Sequence, residues 1–548
     1  MSDNSIKLPK SFEFSNLRLS TLRQHVENSN STKTNQENSQ ENSQENKQEN
    51  NQENSQEKIV NNPNAIKIGD RLELFVDDAL IRNMSNLRRQ VHQPTAKEIS
   101  IVFDEPWEGN VSAYYTLIQE SDQFMRLYYR GGDININKMR MGIKEGMMNG
   151  QRVCYAESHD GGDHWIKPYL GLFKYRDRSG NVDPEKKNNI IWDDIRGTEN
   201  FTPFKDTNPN CKPDEKYKAV GSRLNPYQLF GFTSPDGIHW KIMMEGKPLL
   251  TLYHGKFDTQ NVAFWNEKTN QYMLFYRDCI NRRTNLGRGI RVCVSQDFIH
   301  WGKFAWLKYA DPLHQQNYQL YTNGIQKYYR APHYLIGFPN RFNQPRQAIP
   351  GHPQSGVFDA IFMSSRDGYN WKRTSEAIFR PGPQRNRWAT RNNQIALGMY
   401  ETPSDFNHLY DKPPNEISIL SCEGYYLHKC SLRRYTWRLD GFVSIRASLS
   451  GGELITKPLI FSGQHLVLNL STSALGWAKV EIQDGSTDQP IPGFEMNNCF
   501  ECFGDSVNKR VVWNHNDQNT KLSELIGRSI RLKFRLKDCD LYSYQFVN

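Results

Sequence analysis

Carboxylates and carboxamides recur beside aromatic rings in five separate segments of this 548-residue chain. The first is Asp104-Glu105-Pro106-Trp107-Glu108-Gly109-Asn110, and the second runs from Glu199-Asn200 to Asp206. The third is Phe257-Asp258-Thr259-Gln260-Asn261. The fourth holds Tyr321-Thr322-Asn323 and, further on, Arg330-Ala331-Pro332-His333, and the fifth is Thr390-Arg391-Asn392-Asn393. This mixture suits a sugar: amides and carboxylates bind hydroxyls, and an indole or phenol ring stacks on the apolar ring face. Two carboxyl groups flanking a glycosidic bond complete a hydrolase, one protonating the leaving oxygen while the other attacks or activates water. Glu108 is the expected proton donor and Asp258 the expected base or nucleophile, with Asp206 tuning the donor; these roles are interchangeable at this stage. Trp107, Asn110, Asn200, Gln260, Asn261, Asn323, Arg330 and His333 are the expected sugar contacts. Each also has a structural reading. Asp258 could cap a turn, Glu108 could pair with a structural arginine, Asp206 sits in a Pro/Asn-rich loop, and Arg277 and Asp278 could form a salt bridge.

Distant segments of this kind need a radial scaffold to meet. The sequence supplies one through a motif repeated four times: Ser158-His-Asp-Gly-Gly-Asp-His-Trp165, Ser234-Pro-Asp-Gly-Ile-His-Trp240, Ser295-Gln-Asp-Phe-Ile-His-Trp301 and Ser365-Arg-Asp-Gly-Tyr-Asn-Trp371. Ser and Asp bond nearby amides, Gly takes positive φ, and Trp plugs the turn against a sheet. A β-rich run precedes each copy, such as Met125–Arg130 and Tyr272–Arg277. Each unit therefore supplies about four strands, the content of one propeller blade. A fifth unit without the Trp turn spans about Arg380 to Arg438, and Leu72–Val76 is the expected ring-closing strand. The fold expected is all-β: a five-bladed propeller over 63–438, followed over 439–548 by an antiparallel sandwich, whose strands alternate at Leu466–Leu470, Ala478–Ile482 and Ile530–Leu536.

Residues 1–62 differ. From Gln36 a Gln-Glu-Asn-Ser period-four repeat carries almost no apolar residue, which points to a disordered low-complexity arm. The net charge of +9 is modest, and no Lys/Arg cluster resembles a nucleic-acid footprint. No apolar run is long enough to span a bilayer, and Met1 to Phe12 carry no secretory core, so a cytoplasmic, reduced protein is expected. Nine scattered cysteines agree; Cys499-x-x-Cys502 lacks a second pair at zinc spacing. No metal or cofactor is expected, and the oligomeric state is not legible.

Phe75-Val76-Asp77-Asp78, Pro106–Asn110 and Arg438-Leu439-Asp440-Gly441-Phe442 resemble segments of bacterial proteins described as glycosyl hydrolase family 32 N-terminal-domain-like. These belong to the five-bladed propeller superfamily of arabinanases, invertases and levansucrases. The resemblance covers roughly residues 66 to 548. It implies a carbohydrate-active hydrolase, of furanosides among other sugars, built on two aspartates and a glutamic acid. The invertase pattern is not reproduced: there is no Trp-Met-Asn-Asp-Pro-Asn-Gly segment, and Glu501-Cys502 falls in the sandwich. A non-catalytic sugar-binding propeller and a protein-interaction scaffold are the alternatives. The Ser-x-Asp turns alone would also suit a sialidase, but no arginine-triad signature is visible in the sequence.

Overall fold

The computed structural model describes residues 62–548, apart from 144–147, 178–179, 312–317, 353, 407, 409–412, 428 and 514–520. The arm expected at 1–62 therefore lies, up to residue 61, outside the described residues. Five sheets succeed one another along the chain as blades. The first contains Ala113–Gln119, Met125–Ile134, Met148–Ser158 and Ile190–Trp192. The second is built around Gly197–Lys205, Tyr217–Leu224 and Tyr227–Ser234, and the third on Val262–Asn266, Gln271–Asn281, Leu286–Ser295 and Trp301–Trp306. In the fourth, the inner strands are broken into short pieces, of which Leu335–Gly337 and Asn340–Asn343 pair on Val357–Ser365, itself paired with Asn370–Phe379. The fifth contains Tyr400–Thr402, Glu416–Glu423 and Cys430–Arg438.

Thr95–Phe103 supplies the outermost strand of that fifth sheet and closes the ring, pairing Phe103 with Cys430 and Thr95 with Thr436. This corrects the expectation for Leu72–Val76, of which Glu73 and Leu74 pair instead with Tyr544 and Ser543. Leu72–Val76 reads as a core strand because all five of its residues are buried, Leu72, Leu74 and Val76 toward the ring and Phe75 toward the second domain, with Glu73 the one charged residue among them. The true closing strand lies on an outer edge, where Ile99 and Val102 are exposed and Lys97 and Glu98 interrupt the pattern.

Each Ser-x-Asp turn leaves the third strand of one of the first four blades. In the second blade Asp236 Oδ1 accepts from the amides of Ile238 and His239 at 2.9 and 2.8 Å, and Trp240 Nε1 donates to the Gly237 carbonyl at 3.1 Å. In the longer first copy Trp165 Nε1 donates to Ser100 Oγ at 2.9 Å, tying the first blade to the closing strand.

The ring is laced together at its inner strands. The Leu117 amide donates to the Leu397 carbonyl at 2.7 Å, joining first and fifth blades. Gln260 Nε2 donates to the Tyr115 carbonyl and Thr116 Oγ1, and Asn323 Nδ2 to the Gln260 carbonyl. Asn340 Nδ2 reaches the Asn393 carbonyl, linking the fourth blade to the fifth.

The remaining strands form one ten-stranded sheet that includes Ile66–Gly69, Ile81–Ser85 and Leu87–Val91 together with strands from Val443 to Val547. Residues 66–91, expected within the propeller, thus pair in the second domain, and the propeller is inserted between the two parts of that sheet. His465–Asp484 pairs with Ile530–Val547 along its length, with a break in register between Thr472 and Trp477 that lets the sheet fold over a core of Leu466, Leu468, Val480, Leu532 and Phe534.

Candidate functional site

The second strands of the first and third blades share an internal sequence: Leu127-Tyr128-Tyr129-Arg130 and Leu274-Phe275-Tyr276-Arg277. Both arginines are buried at the inner, axial end of the blades, Arg130 opposite Ala113 at the start of the innermost strand. Arg391 enters from the fifth blade. Arg130 Nη2 and Arg391 Nη1 both donate to the Tyr425 hydroxyl, at 3.0 and 3.1 Å. The Arg130 guanidinium lies over the Tyr114 ring at 4.8 Å and that of Arg277 over the Tyr321 ring at 4.6 Å. Two carboxylates complete the group. Asp258 is salt-bridged to Arg277 Nη2, and Glu199 Oε2 stands 4.0 Å from Arg130 Nη1. Their side chains keep 32% and 21% exposure, so solvent reaches both. Each blade contributes: Tyr114 and Arg130, Glu199, Asp258 and Arg277, Tyr321, then Arg391 and Tyr425.

The backbone is strained here. Tyr114, Phe257, Arg391 and Tyr426 have φ of 57°, 44°, 63° and 65°, a left-handed conformation that bulky side chains avoid. Such conformations cost of order 1–3 kcal/mol each and cluster where a site is held in place by its surroundings. Asn261 Nδ2 donates to the carbonyls of Phe257 and Thr259, bracing the loop that presents Asp258.

Burial, reinforced by the nearby Asp258 charge, raises the Glu199 carboxyl above its ordinary value although Arg130 and Arg391 pull it down. Burial would push the Tyr321 phenol up, but Arg391 and Arg277 outweigh it and leave it below the usual tyrosine range. Burial and the neighbouring Tyr321 drive Tyr114 well above that range. Burial and the Arg277 charge together lower Arg288, which lies 5.9 Å from the Tyr321 ring.

Of the three expected carboxylates, the structure brings Asp258 into this cluster. Glu108 is wholly buried, accepting from the Tyr129 hydroxyl at 2.5 Å, the Glu105 amide at 2.9 Å and Lys167 Nζ at 2.8 Å. Burial raises its carboxyl against the pull of Lys167. Asp206 lies just past the outer end of Gly197–Lys205, where it accepts from Lys218 Nζ and the Tyr272 hydroxyl, both at 2.7 Å. Seven residues of extended chain put it about 20 Å from Glu199 on the same strand.

The expected sugar contacts are mostly occupied by the fold itself. Trp107 is buried with Nε1 on Asn189 Oδ1 at 2.6 Å, and Asn110 exchanges hydrogen bonds with the Ile134 backbone. Gln260 and Asn323 are buried in the lacing between blades, and Asn261 braces the Asp258 loop. Asn200, beside Glu199, donates to Ser222 Oγ at 3.2 Å. Arg330 and His333 lie at the joint with the sandwich, Arg330 Nε on Asp440 at 2.9 Å and His333 Nε2 3.5 Å from Glu73. A carboxamide that satisfies backbone groups and one that faces solvent look alike in sequence, which is why these amides read as ligand groups. Glu199, Arg130, Arg277 and Arg391 belong to this candidate site, although the sequence alone gives none of them a role in it. The signal that finds two of them is the aromatic-Arg sequence shared by the second strands.

No family model matches this sequence, and no curated protein matches it. Solved structures do. An N-acetylgalactosamine deacetylase from F. plautii in complex with blood group B trisaccharide is 11% identical, with TM-score 0.39 over 63% of this chain and 95% of that one. A glycosyl hydrolase from Bacteroides ovatus is 13% identical, with TM-score 0.35 over 67% and 93%. A thermostable family-43 glycoside hydrolase is 11% identical, with TM-score 0.34 over 62% and 94%. Likenesses of this degree transfer no residue role to this chain.

Among the described residues, no group of three His, Cys, Asp or Glu side chains is placed to hold a metal ion. Cys499 and Cys502 are buried in the sandwich core, where burial pushes their thiols up to about 11 and about 12. Among the same residues, no helix is long and apolar enough to cross a membrane.

Proposed function

We propose that the chain is a carbohydrate-active hydrolase whose working pair is Glu199 and Asp258 at the propeller axis. The observation that carries this reading is the pairing of a raised, solvent-reached carboxyl on the second blade with a carboxylate salt-bridged to arginine on the third. A carboxyl whose protonated form burial favours can donate its proton to a leaving glycosidic oxygen. Asp258, braced by Arg277 and the Asn261 loop, then attacks the anomeric carbon or takes the proton of an attacking water. In the first case water later releases the sugar, and Glu199 takes back the proton. Furanosides belong in the substrate panel because the sequence resemblance implies them. A reducing compartment suits the nine unpaired thiols.

The test is a panel of aryl glycosides and oligosaccharides, with variants then assayed on any substrate cleaved. Glu199→Gln and Asp258→Asn are expected to lower kcat/KM by at least about 10³-fold with little change in melting temperature. Because Glu199 must be protonated, activity in the wild type should fall as pH rises through its raised pKa. Wild-type turnover retained in both variants would end this assignment. Sugar binding without any turnover across the panel would favour the non-catalytic reading.

A further inference from the structure

The charge at the axis does not balance. Arg130 and Arg277 are 5% and 3% exposed, and Arg391 enters beside them. Against these three guanidinium groups stands the Asp258 carboxylate, joined by a Glu199 carboxyl whose burial favours its neutral form. Buried cations without matching anions are strongly unfavourable. Nor are their donors used up: Arg130 Nε and both Nε and Nη1 of Arg277 are buried with no hydrogen-bond partner among the described residues. The left-handed backbone at Tyr114 and Arg391 flanks the same point. Surplus positive charge, buried spare donors and strained backbone lie directly beside the carboxylates of Glu199 and Asp258, which solvent reaches. A site built this way is completed by an anion.

We infer that the substrate is an acidic sugar, whose ring carboxylate is gripped by Arg130, Arg277 and Arg391 beside the Glu199–Asp258 pair. This rests on the hydrolase reading and names the substrate class for it. The planar guanidinium fork matches a carboxylate in two parallel hydrogen bonds, which an ammonium group cannot offer. Tyr425, which accepts from Arg130 and Arg391 together, fixes the angle between two of the forks. A neutral sugar would leave the guanidinium donors unpaired and is rejected on that account.

The experiment is calorimetric binding of uronic-acid-containing oligosaccharides to the full chain, compared with the same oligosaccharides after reduction of their carboxyl groups to alcohols. The acidic forms are expected to bind at least ten-fold more tightly. Arg391→Gln should erase that preference while the melting temperature holds, and Arg130→Gln provides a second variant should the first not fold. Equal affinity for acidic and reduced forms, or an unchanged preference in a folded arginine variant, would overturn the inference. Inorganic phosphate is the competing source of negative charge. If it binds as tightly as the acidic oligosaccharides and is required for cleavage of neutral ones, the acidic-sugar inference falls. Glu199→Gln separates the two ideas: binding of acidic sugar with cleavage lost supports both. Binding with cleavage unchanged leaves the substrate class standing and removes the catalytic pair.

Discussion

At the scale of single residues, a hydroxyl group organises the axial cations. Tyr425 is buried, and its oxygen accepts from Arg130 and Arg391 while its own ring is packed against Tyr426 at 4.5 Å. Removing the oxygen frees two guanidinium groups to drift without disturbing the ring. A hydrogen bond to a charged group contributes about 1.5–3 kcal/mol. Tyr425→Phe is therefore expected to raise KM by roughly 10- to 100-fold on a cleaved substrate, while kcat and the pH of half-maximal kcat stay near wild type. Steady-state kinetics across pH reads this split. An equal fall in kcat with KM unchanged would mean that Tyr425 acts on the carboxyl pair and does not position the arginines. Tyr321 differs, since its ring lies under Arg277 and the Arg391 and Arg277 charges outweigh burial to lower its phenol.

At the scale of elements, the repeated turn and the strand that closes the ring show what a sequence reveals. The turn is written in local side-chain-to-backbone bonds, so Ser-x-Asp-x-x-x-Trp identifies it without tertiary context. The Asp236 carboxyl is pushed up by burial, but its bonds to His239, Ile238 and Ser234 outweigh that and hold it at about 2. The folded value is below the unfolded value of about 3.9, so its contribution is complete above about pH 4 and is lost as pH falls toward 2. The side chain is 45% exposed, so solvent screens much of that contribution. Asp236→Ala is expected to lower stability by about 1 kcal/mol at pH 7, with the difference shrinking by pH 3. Urea unfolding at the two pH values measures it, and a difference that stays constant would reject the carboxylate's role. Five blades, four of their turns and the strands near Met125, Tyr272 and Glu416 are legible for this reason. Thr95–Phe103 is not, because an edge strand buries one face and carries charge. Leu72–Val76 imitates it by being buried on both sides. The site is half legible: Asp258 stands at a strand start, as the radial logic requires. Glu199 is visible in the same way, yet Asp206 at the other end of the same strand competes with it on residue type alone. Arg130 and Arg277 lie within second strands and Arg391 in the turn before the fifth blade's first strand, and only pairing brings them to the axis.

At the scale of the whole molecule, the propeller and the sandwich are joined through buried charge. Asp440 accepts from the Tyr328 hydroxyl at 2.5 Å, Arg330 Nε at 2.9 Å and Ser543 Oγ at 3.2 Å, linking the fourth blade to the last long strand. Glu73 does the same from the N-terminal side. Its carboxylate, with no exposure, meets Arg71 at 2.5 Å, the Tyr334 hydroxyl at 2.9 Å and Arg366 at 3.0 Å. Burial pushes the Glu73 carboxyl up, but His333, Arg366 and Arg71 outweigh it and hold it at about 2. The unfolded value is about 4.3, so the ion cluster stabilises the folded chain fully above that pH and weakens as pH falls toward 2. The linkage amounts to about 3 kcal/mol. Glu73→Gln strips the carboxylate from buried cations, which costs about 3–5 kcal/mol near neutrality. Thermal unfolding of wild type and variant between pH 7 and 3 is expected to show a large gap that narrows in acid, because the wild type loses the same charge by protonation. A gap that does not narrow would place the stabilisation in packing of Leu72, Leu74 and Val76 against the fourth blade. In that case the charge at the joint would serve to fix the orientation of the two domains without holding them together.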